Sequence, residues 1–83
     1  MIEVWEVTMT DLWRDGCGWV ENGAWRHVEG LRVPAGISDL ALARKVLAVA
    51  GYTGVRMSKL DTFWWRHGTI GIRADFIGHE EEL

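Results

Sequence analysis

The chain has 83 residues, 48% of them apolar and 25% charged, with a formal net charge of −3. That is enough material for one domain around one small core, and it excludes a second domain. Seven Arg and two Lys stand against five Asp and seven Glu, a balance that counts against a large, uniformly basic nucleic-acid-binding surface.

The longest apolar stretch, Ile37 to Val49, is interrupted by Ser38, Asp39, Arg44 and Lys45, so no membrane span is expected. The N-terminus opens Met-Ile-Glu without a basic stretch or an apolar core before a cleavage site, and the reading that follows is a cytoplasmic protein. Cys17 has no partner for an internal disulfide or a paired-cysteine zinc site. No cofactor and no metal are implied.

In chain order, Ile2 to Met9 alternates as a strand, with Glu3, Trp5, Val7 and Met9 on one side and Ile2, Val4, Glu6 and Thr8 on the other. Thr10 to Gly23 is rich in turn formers and reads as a wide loop or a hairpin arm. Asn22-Gly23 is a strong turn dipeptide across which Trp19-Val20 can pair with the next segment. Ala24 to Val33 is again extended, with Gly30 as a candidate bulge and Pro34 either stopping the strand or placing its end at a sheet edge.

One helix follows. Ser38 or Asp39 can cap its start, and Gly51 suits the residue past its end. Leu40, Leu42, Ala43, Val46, Leu47, Val49 and Ala50 form a broad apolar face that should cover a sheet. Beyond Gly51, Val55 and Met57 read as the inward residues of a short strand. Thr62 to His67 and Thr69 to Ile77 read as a hairpin turned at Gly68.

The fold class is therefore α+β: a small antiparallel or mixed β-sheet of four to five strands, in the rough order ββαβββ, with one α-helix packed on one face. Residues 1–83 form a single domain, with residues 79–83 expected as a frayed acidic tail. A single helix leaves the other face of the sheet uncovered.

Charge is segregated along the chain: residues 1–29 carry a net −4, residues 30–79 a net +4, and the last residues −3. Six tryptophans exceed what so small a core can cover while giving every indole a hydrogen-bond partner, so one to three of them are expected at the surface. Trp13, Trp19, Trp25 and Trp64 are the first candidates.

Because Trp and Arg dominate interface anchors, Trp25, Trp64, Arg66 and Arg73 are the expected protein-interface residues. Glu3, Glu6, Asp11, Asp15 and Glu21 are candidates for an acidic surface able to imitate a nucleic-acid backbone. The leading expectation is a protein-binding module whose partner is another protein or, in a homodimer, a second copy. One alternative is a nucleic-acid-binding module using Arg56, Arg66 and Arg73 beside a tryptophan. The acidic balance and the lack of a recognised motif make nucleic acid the weaker of the two. Another is a small structural homo-oligomer.

An enzyme is not expected, since the best reactive pair, Cys17 with His27, matches no catalytic spacing. The compact, acidic, tryptophan-rich composition resembles the small proteins of bacteriophages and other mobile elements. That resemblance of type, which covers no diagnostic motif, implies a stoichiometric inhibitor or accessory protein.

Overall fold

The computed structural model describes residues 1–81. Its elements are β1 (Ile2–Asp15), β2 (Gly18–Glu21), β3 (Arg26–Pro34), α1 (Asp39–Val49), β4 (Ser58–Asp61), β5 (Trp64–His67) and β6 (Ile70–Glu80). The fold is a small α+β domain, a curled antiparallel sheet with one helix packed on it. Across the sheet the order is β2-β1-β6-β5-β4, with β3 also on β1. Every strand pairing is antiparallel, which removes the mixed-sheet option.

The long central strand β1 organises the rest. One edge pairs with β6 from Ile2 to Asp11, and the other pairs first with β3 and then, past Met9, with β2. The first strand thus runs six residues beyond the expected end at Met9, and its last part forms a projecting arm with β2.

The arm turns at Gly16-Cys17 and not at Asn22-Gly23. Gly16, at φ 61°, is the first central residue, where a left-handed glycine gives the twist a tight hairpin needs. Trp19 and Val20 consequently pair back on Arg14 and Trp13. Residues 22–25 only step the chain along the same edge of β1. Asn22 donates its backbone N–H to the Asp11 carbonyl (2.8 Å), and the buried Thr10 hydroxyl donates to the Ala24 carbonyl (3.2 Å). The bulge in β3 falls at Val28, which has no opposite number in β1, and not at Gly30.

Helix α1 begins where Ser38 accepts a hydrogen bond from the Ala41 backbone N–H and ends in a Schellman closure. Gly51 (φ 90°) donates to the Ala48 carbonyl and Tyr52 to that of Leu47. Leu42 and Val46, one turn apart, are its buried residues. They close a core with Val7, Val33, Trp65, Ile72 and Ala74. The apolar face is narrower than expected: Leu40 is 62% exposed, because the first turn overhangs the short strands β4 and β5.

Val55 to Met57 is loop. β4 starts at Ser58 because β5 fixes the register from the other side of the Thr62-Phe63 turn, pairing Arg66 with Ser58 and Trp65 with Lys59. The expected frayed tail is partly ordered strand. His79 and Glu80 pair with Glu3 and Ile2, and Arg32 reaches over β1 to grip the Glu80 carboxylate through Nε (2.8 Å) and Nη2 (3.1 Å). Glu81 is exposed and outside the strand, and residues 82–83 of that tail lie outside the described residues.

Candidate functional site on the face opposite the helix

Alternation along β1 puts Val7 against the helix, so Thr8, Thr10 and Leu12 point the other way. Yet Thr8 is 7% exposed, Leu12 2% and Thr10 0%. Something other than the helix therefore roofs the second face.

Cross-strand register shows what forms that roof. Trp64 on β5 stands opposite Arg73 on β6, which stands opposite Thr8 on β1 and, beyond it, His27 on β3. In the next row Arg66 lies opposite Gly71, and Gly71 opposite Thr10. Gly71 has no side chain because Leu12 fills the space: a Cβ there would sit 3.0 Å from Leu12 Cδ1.

Over this floor the aromatic and cationic side chains stack. The Arg73 guanidinium carbon lies 4.3 Å from the centre of the Trp25 ring, and Trp25 meets Trp64 edge-on at 6.1 Å. Arg66 lies 4.2 Å from the centre of Trp19, and Arg14 approaches the same indole at 5.7 Å. Each such contact adds about 0.5–1 kcal/mol where exposed and more where dry. The long arginine stems add apolar cover.

The expected interface residues Trp25, Trp64, Arg66 and Arg73 are thus brought together on one face, all half-buried. Two members of the cluster, Trp19 and Arg14, were absent from that expected set. Trp13, the most exposed indole at 55%, sits on the other side of the arm, opposite Val20. Arg56 lies in the loop between α1 and β4, outside the stack.

The five acidic candidates are not gathered into one surface. Glu3, Asp11 and Asp15 have one parity on β1 and Glu6 the other, with Glu21 on β2. Most are engaged locally. Glu3 accepts from the Trp5 indole (3.1 Å) and the Gly36 backbone (3.2 Å), Glu6 pairs with His27 (3.0 Å), and Asp11 pairs with Arg26 (3.5 Å).

Cys17 lies in the turn at the arm's tip and His27 opposite Thr8, so about seven strand residues, roughly 23 Å, separate the pair. Among the described residues no group of three or more His, Cys, Asp or Glu side chains could hold a metal ion. Among the described residues no helix is long and apolar enough to cross a membrane.

Electrostatically the face has two ends. Near the termini it is tiled by paired groups: the ion pairs Arg32 with Glu80 and Arg73 with Asp75 (3.0 Å), and the hydrogen-bonded His27 and Glu6. Hydrogen bonding from Arg32 holds the Glu80 carboxyl below its ordinary range, and the same contact raises the Arg32 guanidinium further. Toward the arm the arginines are matched to indoles instead. There the Trp64 Nε1 and Arg66 Nε donors are buried without an acceptor. Buried donors without partners are rare in folded proteins and costly to keep.

A second feature is a groove of about 290 Å³ between the first turn of α1 and the β4–β5 turn, lined by Leu40, Ala43, Lys59, Phe63 and Trp65 among others. Phe63 holds φ 55° there, a left-handed conformation rare for an aromatic residue. No protein-family model matches this chain, and neither the curated proteins nor the solved structures contain a match.

Proposed function

We propose that this protein is a stoichiometric binding module that presents its helix-free sheet face to a protein partner. One observation carries the reading: Trp19, Trp25 and Trp64 and Arg14, Arg66 and Arg73 form a single half-exposed layer that leaves buried donors unmet. Aliphatic side chains would roof a second face at lower cost in unpaired polar atoms. Trp and Arg are the residues that anchor protein interfaces, most effectively near a well-packed centre such as this one.

The size is suitable. Extents of 48 by 24 Å bound a face on the order of 1,000 Å², against about 800 Å² per partner in a standard interface. The inhibitor or accessory role implied by the composition would use this surface. Stacking of unpaired bases is the less favoured use. Trp19 and Trp25 each already have a guanidinium against the ring, and Glu6 and Asp75 share the face with Arg73.

The test is affinity capture from the native host lysate at physiological salt. Bait would be the wild type, the Trp64→Ala/Arg66→Ala variant and a Leu40→Ser control in the helix-side groove, each shown by circular dichroism to be folded. The expected result is one stoichiometric protein retained by wild type and Leu40→Ser and lost from the double variant. Equal capture by all three, or a monomer that retains nothing, overturns the reading.

A further inference from the structure

We infer that the root of the β1–β2 arm is a carboxylate-binding site, where Arg14 and Arg66 receive one Asp or Glu side chain of an extended partner segment. This rests on the reading of the helix-free face as a protein-binding surface and names the chemistry that one end of it recognises.

The arginines of the sheet fall into two groups. Arg26, Arg32 and Arg73 each have a carboxylate within 3.5 Å: Asp11, Glu80 and Asp75. Arg14 and Arg66 are in no ion pair among the described residues, although both converge on the Trp19 indole. Two like charges beside one ring repel each other, and the ring's quadrupole offsets only part of that. Glu21 is the carboxylate that shares this face of the arm, and among the described residues it is in an ion pair with neither, so both guanidiniums are left without a bonded counter-ion.

Hydrogen bonding is lopsided in the same sense. Arg66 donates from Nη1 to the Gly68 carbonyl (2.8 Å), while its Nε and the nearby Trp64 Nε1 have no acceptor. Trp64 is two residues from Arg66 on the same face of β5, so these two unmet donors belong to one locality; the third unpartnered atom of the face, the Thr8 hydroxyl on β1, can donate or accept. An incoming group with two acceptor oxygens and a negative charge answers both deficits. A planar carboxylate matches a guanidinium edge with two parallel hydrogen bonds. Arg66 Nε is buried and the Trp19 ring lies 4.2 Å from the Arg66 guanidinium carbon, so binding at this site is expected to move the arm.

The surroundings favour a single anion over a polyanion. Glu21 shares this face of the arm with Leu12 and Arg14, and Asp75 and Glu6 lie on the same face beyond Arg73. A nucleic-acid backbone running along the face would meet all three carboxylates, whereas one acidic side chain flanked by apolar residues would meet Glu21 alone.

The experiment uses the full chain labelled with nitrogen-15 and the blocked pentapeptides ALELA and ALQLA, which differ in one charge, with a short oligothymidylate as comparator. Saturable shifts of the Trp19 indole N–H and the Arg66 Nε–H are expected with ALELA, about tenfold weaker with ALQLA, and lost in Arg14→Gln/Arg66→Gln. Arg14→Gln alone, at an exposed position, serves if the double variant does not fold.

Equal responses to the two peptides, no response in the wild type, or tighter binding of the oligothymidylate at these resonances each overturn the assignment. If the captured partner is lost from Trp64→Ala/Arg66→Ala but retained by a folded Arg14→Gln/Arg66→Gln, the face binds protein and the carboxylate site is wrong. If no variant affects any partner, the parent reading fails.

Discussion

The guanidinium carbon of Arg66 stands 4.2 Å from the centre of the Trp19 ring, which ties the projecting arm to β5 across the intervening strand β6. Removing this contact should loosen the arm more than the domain. Trp19→Ala is expected to cost about 1–2 kcal/mol in global stability, through the lost cation–π contact and apolar cover. Amides of residues 12–21 should exchange faster while those of Val7 and Ile72 keep their protection relative to global stability. Hydrogen exchange followed by NMR reads both; uniform loss across the sheet would mean the arm is not an independent unit.

Gly71 and Leu12 test the dry floor beneath the aromatic layer. A methyl at Gly71 would meet three Leu12 side-chain atoms at 3.0–3.3 Å, and Leu12 is fully hemmed in. Gly71→Ala should destabilise by about 1–3 kcal/mol through overpacking. In a Leu12→Ala background the same change should cost clearly less, because the obstructing atoms are gone. Urea unfolding of the four proteins gives the cycle, and additive effects would show that the two side chains do not compete for space.

Phe63 sets two effects against each other. Glycine at this left-handed position relieves about 1–3 kcal/mol of backbone strain. It also removes a ring packed edge-on against Trp5 (5.0 Å) and Trp65 (6.1 Å), a truncation worth about 3–5 kcal/mol in a full core. Since Phe63 is only half-buried, Phe63→Gly should be destabilised by about 1–2 kcal/mol net. A melting temperature above wild type would mean that the ring contributes little to packing.

The Arg32–Glu80 pair should give the fold an acid-sensitive clasp. The folded-state pKa of Glu80 is depressed, so its stabilisation is complete above the unfolded-state value and is lost as pH falls through the lower folded-state value. Arg32 is raised, but it is protonated in both states throughout that range and adds no slope. Glu80→Gln is therefore expected to melt below wild type at neutral pH, with the gap closing in strong acid. Melting temperatures across the acid range check this, and a gap independent of pH would contradict it.

Much of the architecture is legible in local pattern. Alternation around the Gly68 turn sends Trp64, Arg66 and Arg73 to one face and Trp65, Ile72 and Ala74 to the other, and Ser38 and Gly51 mark the helix ends. The root of the arm was hidden because two turn signals compete within eight residues. Gly16-Cys17-Gly18 and Asn22-Gly23 are both plausible, and a tertiary contact, the Thr10 hydroxyl on the Ala24 carbonyl, goes with the first. With the wrong turn, Trp19 loses Arg14 as its cross-strand neighbour and the cation cluster disappears from view. Arg32 and Glu80, 48 positions apart, had no local signal at all, so the charged tail looked free.

The aromatic and cationic layer opposite the helix is where we propose that a partner sits. The most direct test is exchange of the six indole N–H protons, each resolved by NMR, in the free chain and in the complex recovered by capture. Slowed exchange at Trp19, Trp25 and Trp64, with Trp5 and Trp65 unchanged behind the sheet, is the predicted result. Protection confined to Trp13, or to amides around Leu40 and Phe63 with the three face indoles unaffected, would contradict it.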